Sequence, residues 1–186
     1  MSILSRRFVL NSMLALIVPA PFAARAEPLQ DAQAAVARKD YFSAFRLLEP
    51  LARDGQAVAQ WRLGLLYYHG MGVREDNAQA KLWFERAARQ GLADAQFQLG
   101  TLYAFGHAVA PADEDPNRLA AQWFFEAASQ GHAEAQYSLG ILFLTGSGVT
   151  QSQEEADKWI GRAAAQGHAD AKAYQSGRPA AGRKPG

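Results

Sequence analysis

The chain has 186 residues, with 19 basic and 18 acidic side chains, a formal charge of +1 and no cysteine. Without cysteine there can be no disulfide, no thiolate metal site, no cysteine nucleophile and no lipid-modified N-terminal cysteine. The charge is unevenly placed. Residues 1–26 and 178–186 hold six of the basic residues and no acid, so 27–177 carries 13 bases against 18 acids, a net −5. That balance argues against a basic nucleic-acid-binding body.

Residues 1–26 read as an export signal. Arg6 and Arg7 are followed by a mostly apolar stretch, Phe8 to Val18, which Pro19 and Pro21 interrupt before Ala24-Arg25-Ala26. Ala24 and Ala26 form a small-x-small cleavage site. The apolar run is 11 residues long, well short of the roughly 20 that a spanning helix needs, so no stable membrane span is expected. Ser5-Arg6-Arg7-Phe8-Val9-Leu10-Asn11 resembles the twin-arginine export motif in Ser5, both arginines and Leu10, while Val9 and Asn11 depart from it. The resemblance implies a periplasmic destination in a bacterium, with general secretion as the alternative route.

Downstream, Asp31–Arg38 and Tyr41–Arg53 read as a helical hairpin around Lys39-Asp40 that caps the N-terminal end of a helical stack. The rest of the chain is dominated by self-similarity. Gly55, Gly91, Gly131 and Gly167 are spaced by 36, 40 and 36 residues, and Trp83, Trp123 and Trp159 keep step with them at 40 and 36. Each unit carries Ala-Gln-x-x-Leu-Gly (Ala59 to Gly64, Ala95 to Gly100, Ala135 to Gly140), a glycine-bearing turn, the tryptophan and an Ala-Ala pair before the next repeat glycine. The apolar spacing of Ala59, Leu63, Leu66 and Tyr67 predicts a helix over about 57–69, which Gly70 ends in the left-handed conformation. A second helix is expected from Asp76 to Gly91. Asp76 and Ser152 are its N-caps in the first and third units; Ser152 with Glu155 forms a capping box. In the second unit Asp115 caps and Pro116 opens the helix. Gly64, Gly100 and Gly140 recur inside a helix at a cost of about 1 kcal/mol each relative to alanine, which implies that a neighbouring tryptophan or helix leaves no room for a methyl group. The 38 alanines point the same way, to close helix contact.

This pattern resembles the Sel-1-like repeat family, a relative of the tetratricopeptide repeat. Ala108 replaces the second turn glycine, Phe143 the tyrosine, and four residues are inserted in the second turn, around Ala110–Asp115. The resemblance implies an all-α, right-handed superhelical solenoid of helix pairs, and adaptor roles rather than catalysis. The domains expected are a signal segment 1–26, a capping hairpin 27–54, units 55–90, 91–130 and 131–166, a partial unit 167–176 and a disordered, Gly/Pro-rich tail 177–186.

The equivalent tryptophans are read as shared core packing rather than a stacking ladder for sugars or bases. The four histidines lack metal-ligand spacing, Asp113-Glu114-Asp115 lacks the frame of a calcium loop, and no nucleophile motif or phosphate loop occurs. No catalytic residue, cofactor or metal is therefore assigned, and the chain is not expected to be an enzyme. Partner choice in a solenoid resides where units differ. By analogy with tetratricopeptide repeats, one stripe of each first helix should line the concave face and take a protein or peptide. Its residues are Val58, Arg62, Leu65 and His69, then Asp94, Gln98, Thr101 and Phe105, then Glu134, Ser138, Ile141 and Thr145. A monomeric, exported adaptor is the reading. The alternative is a cell-envelope enzyme or accessory, β-lactamase-like or peptidoglycan-associated. Penicillin binding and β-lactam hydrolysis are linked to cysteine-rich relatives whose disulfides this chain cannot form.

Overall fold

The structure, a computed structural model, describes residues 26–177. The Arg6-Arg7 export motif, Ala24 of the cleavage site and the tail from Arg178 lie outside the described residues. Ala26 is the first residue of α1, and Gly177 the last of α9. Among the described residues there are nine helices and no strand: α1 (Ala26–Ala37), α2 (Tyr41–Arg53), α3 (Ala57–His69), α4 (Asn77–Arg89), α5 (Ala93–Ala104), α6 (Pro116–Ser129), α7 (Ala133–Thr145), α8 (Gln153–Ala165) and α9 (Ala169–Gly177). Each packs on the next in chain order, which makes the chain a solenoid of helix pairs. α1 begins ahead of the Asp31 start expected from sequence, and accommodates Pro28 in its first turn, where a missing N–H costs nothing.

Local chemistry sets the helix ends. Asp76 accepts hydrogen bonds from the backbone N–H of Ala78 and Gln79, both at 2.9 Å, and Asp115 accepts one from Asn117 at 3.0 Å, with Pro116 opening α6. The Ser152 capping box is only half made. Ser152 Oγ accepts from the Glu155 N–H at 3.3 Å, but the Ser152 N–H donates to the Phe143 carbonyl at 3.0 Å. Glu155 is thereby free to pair with Lys158 at 3.1 Å. Gly70 and Gly146 end α3 and α7 in the left-handed conformation, φ 63° and 73°.

The core runs along the stack as contiguous clusters. Leu48, Leu63, Leu66 and Trp83 fill the first, and Phe84, Leu99, Leu102, Phe124 and Leu139 the second. The glycines inside the first helices explain the tight pairing within each unit. A Cβ on Gly64 would stand 2.6 Å from two ring carbons of Phe84; at Gly100 it would meet Phe124 at 2.7 Å, and at Gly140 the Ile160 Cγ1 at 2.5 Å. The obstructing side chain belongs to the residue after each tryptophan, not to the tryptophan itself. Trp83 and Trp159 are buried in the core clusters, with the Arg86 and Arg162 guanidinium groups over their rings at 4.7 and 4.5 Å.

Turn glycines join one unit to the last. A Cβ on Gly72 would overlap the backbone of Tyr41, and one on Gly148 the backbone of Asn117. Each turn thus sits against the first residues of the preceding unit's second helix. Ala108, at the matching place in the second unit, has no positive φ. Its N–H bonds back to the Leu102 carbonyl at 3.1 Å, and the longer loop takes another path to α6.

Candidate partner-binding surface

The stripe residues fall on α3, α5 and α7, with Phe105 immediately after α5. Val58, Arg62, Leu65, Gln98, Thr101, Ser138 and Ile141 are half-buried, while His69, Asp94, Phe105, Glu134 and Thr145 are exposed. Phe105 stands out, since 71% of its surface is accessible. It rims an apolar groove of about 260 Å³ that also involves Phe124, Tyr137, Ser138, Ile141 and Leu142. Three stripe positions from two units (Phe105, Ser138 and Ile141) therefore meet in one concavity.

Other stripe residues are occupied within the fold. Asp94 Oδ1 lies 3.6 Å from Nε2 of His132, and Glu134 Oε2 lies 2.9 Å from Nε2 of His168. Each histidine sits at the start of the following first helix. Nδ1 of His132 accepts the Ala135 N–H at 3.2 Å, and Nδ1 of His168 accepts that of Ala171 at 3.3 Å. An accepting Nδ1 puts the ring proton of the neutral tautomer on Nε2, facing the carboxylate. Both rings also stack on an aromatic of the preceding first helix: His132 on Phe97 at 4.8 Å and His168 on Tyr137 at 4.5 Å. Asp94 and Glu134 are thus inter-unit fasteners as well as surface charges. Thr101 and Thr145 bond back to carbonyls of their own helices, Phe97 at 2.9 Å and Ile141 at 3.1 Å, as helical threonines do. Arg62 stands over Trp61 at 5.3 Å.

Sequence reasoning missed two features. Tyr68 and His107 connect the C-terminal ends of α3 and α5, Tyr68 Oη lying 3.2 Å from His107 Nδ1. Their rings continue an aromatic row from His69 to Phe105. The second is a glutamine ladder. Buried Gln60, Gln96 and Gln136 donate to the carbonyls of Ala52, Ala88 and Ala128 at 3.0, 3.2 and 3.1 Å, and accept from Gln90, Gln130 and Gln166 at 2.8, 2.7 and 2.8 Å. Its signal was present as the Gln-Gly pair that closes every unit. Among the described residues there is no cluster of three metal-ligating side chains, and no helix is long and apolar enough to cross a membrane.

Residues 57–92, 93–132 and 133–168 each match the family model of the Sel1 repeat. The chain belongs to the Sel1 repeat family. It is similar to a Sel1 repeat protein from Oxalobacter formigenes, at 32% identity and a TM-score of 0.71 over 79% of this chain and 57% of that one. It is also similar to a protective antigen of uropathogenic Escherichia coli strains with the same fold, at 30% identity and a TM-score of 0.72 over 80% of this chain and 32% of the other. Cysteine-rich protein B of Helicobacter pylori, at 20% identity and a TM-score of 0.52 over 78% of this chain and 95% of that one, shares the fold. The chain thus spans 57% and 32% of the length of the first two. No curated protein matches it.

The matched Sel1 units start at Ala57, Ala93 and Ala133, the first residues of α3, α5 and α7. A Sel1 unit in this chain is therefore a helix pair plus the Gln-Gly turn that leads out of it. Sel1 repeats typically form non-catalytic scaffolds for protein interaction.

Proposed function

We propose that this Sel1 protein is a non-catalytic adaptor, exported to the bacterial periplasm, that takes a protein or peptide partner on the stripe formed by α3, α5 and α7. The observation that carries this is the apolar groove between α5 and α7, where Phe105, 71% exposed, stands with Ile141 and Ser138. A large aromatic side chain held in water at the mouth of an apolar cleft favours an occupant that covers it. The groove suits a helix or extended segment with an apolar anchor and polar flanks. The adaptor acts as a monomer without nucleic acid, built as a capping hairpin (27–54), three units (55–90, 91–130, 131–166), a partial unit from 167 that closes with α9 at Gly177 and a C-terminal tail, after removal of a signal (1–26).

Partner capture by proximity labelling in the periplasm tests the reading. Phe105→Glu and Ile141→Glu should abolish capture of whatever the wild type enriches while circular dichroism is unchanged. An unaltered partner profile for both variants would sink the stripe assignment. Charge swaps at Asp94 and Glu134 are weaker tests, because those carboxylates also hold His132 and His168. Export is tested separately: Lys-Lys in place of Arg6-Arg7 should leave precursor in the cytoplasm, and normal processing would exclude the twin-arginine route.

A further inference from the structure

A second groove lies off the stripe and shares no residue with it. It has a volume of about 670 Å³ and lies between α4 and α6, lined among others by Arg89, Gly91, Gln122, Trp123 and Glu126. Two unit-to-unit differences open it. In the first and third units the tryptophan is followed three residues later by arginine, and that arginine lies over the indole: Arg86 over Trp83 at 4.7 Å and Arg162 over Trp159 at 4.5 Å. Lys158 adds a second cation 6.0 Å from Trp159. In the second unit these places hold Glu126 and Gln122, and among the described residues no cation stands over Trp123. Trp123 is accordingly half-buried where its counterparts are buried. The second difference is a missing clamp. Gln90 and Gln166 each donate to a repeat-glycine carbonyl of the preceding junction, Gly55 at 3.0 Å and Gly131 at 2.9 Å. Gln130 bonds Gln96 and contacts the Glu126 carbonyl at 3.5 Å, as Gln90 does with Gln60 and the Arg86 carbonyl, but makes no bond to Gly91, which lines the groove.

We propose that this groove binds an arginine side chain presented by a protein partner, with the guanidinium stacked on Trp123 and paired with the Glu126 carboxylate. The occupant is defined by the site's own pattern. Two of three equivalent tryptophans are covered by a guanidinium from their own helix, and the third lines the groove, half-buried, with an acid at the position of that arginine. Cation–π stacking on tryptophan, the best of the aromatic faces for a cation, and a planar pairing with carboxylate both favour arginine over lysine. The rim arginine, Arg89, does not compete, because it is turned along its helix onto Glu85. The site is independent of the stripe, so failure at either leaves the other standing.

The test is a titration of ¹⁵N-labelled protein with N-acetyl-arginine-amide and its neutral isostere N-acetyl-citrulline-amide. The Trp123 indole signal is assigned by its loss in Trp123→Phe. The expected result is a saturable shift of that signal with the arginine probe and binding at least about tenfold weaker for citrulline. Glu126→Arg recreates the arrangement of the other two units, should fold as the wild type does, and should abolish the response by filling the groove from within. Equal response to citrulline, no saturable shift, or a response that survives Glu126→Arg overturns the proposal. The tail is the internal rival. If replacing Arg178, Arg183 and Lys184 with glutamine shifts the Trp123 signal with no probe present, the groove belongs to the chain's own C-terminus and the external-partner assignment falls.

Discussion

Gly146 and Gly148 are two residues apart in the turn between α7 and α8, and both have left-handed backbones, φ +73° and +69°. Replacing either with alanine imposes the same conformational cost, about 1–2 kcal/mol for a Cβ in that region. Each substitution also narrows the unfolded chain's freedom equally, so that term cancels in the comparison. Their surroundings differ. A Cβ at 146 meets the Gln151 Cβ at 3.3 Å, a contact that a backbone shift of a few tenths of an ångström in the turn relieves. A Cβ at 148 would come to 2.5 Å from the Arg118 backbone nitrogen and overlap the Asn117 carbonyl. Nothing there can rotate away. Either the turn or the first residues of α6 must retreat by about an ångström, and overpacking of that kind costs about 1–3 kcal/mol more.

Gly148→Ala should therefore lose about 2–5 kcal/mol, and Gly146→Ala about 1–2 kcal/mol. Urea denaturation followed by helix circular dichroism measures both. With a urea dependence of about 2 kcal/mol per molar, the two midpoints should differ by about 0.5–1.5 M. Because the clash lies between units rather than within one, Gly148→Ala should also broaden the transition as the third unit uncouples from the second. Coincident midpoints and slopes would show that the turn does not bear on α6, and would refute the account of how one unit is set against the next.

Individual contacts make three more outcomes measurable. Trp159→Ala, at a position 5% exposed, should cost about 3–5 kcal/mol, and Trp123→Ala distinctly less by the same urea midpoints; equal losses would contradict the open face at Trp123. Gln136→Ala removes the bond to the Ala128 carbonyl and the bond from the Gln166 amide, both of which keep a partner in Gly131, and at about 0.5–1.5 kcal/mol per bond should cost about 1–3 kcal/mol, measured by thermal unfolding. The Ser43 hydroxyl and then the Ser43 backbone N–H hold the Asp40 carboxyl below the usual aspartate range. A depressed folded value means that Asp40 contributes stability at neutral pH and loses it as acid takes the pH through the ordinary aspartate range and then through the lower folded value. Asp40→Asn keeps a capping oxygen but cannot titrate, so its stability should fall less steeply over that window; parallel curves would remove Asp40 from the acid response.

The fold was legible because its cues are short-range and repeated. Gly70 and Gly146 stop helices through their own conformation, Asp76 and Asp115 cap through their own side chains, and the period of the tryptophans shows the same unit recurring. What sequence could not show was which atoms meet between units. The glycines at 64, 100 and 140 announce a close approach, but the obstructing group, Phe84, Phe124 or Ile160, emerges only once the second helix is laid across the first. The same holds for the stripe. Asp94 and Glu134 read as free surface charges until the following unit brings His132 and His168 against them, 38 and 34 residues downstream. Helical spacing selects a face; it does not say which residues on that face are already engaged.

The second unit concentrates nearly every departure from the repeat. It has Ala108 in place of a turn glycine, the longer loop to α6, Glu126 in place of an arginine, and no bond from Gln130 to Gly91. It also presents the exposed Phe105 and, in the following loop, Val109, 86% exposed. In a solenoid, stability is a sum of unit terms and nearest-neighbour interfaces, so an interior unit held from both sides can give up contacts that an end unit could not. The retained contacts are those that fix the stack: Gly100 against Phe124, the Gln96–Gln130 pair and His132 on Phe97. The lost ones uncover Trp123 beside α4, and the same unit places Phe105 beside α7 at a position exposed in all three units. Drift alone would scatter such losses over all three units. Their gathering in the one unit with a Sel1 unit on either side is what a scaffold needs if it is to expose binding groups without loosening its ends.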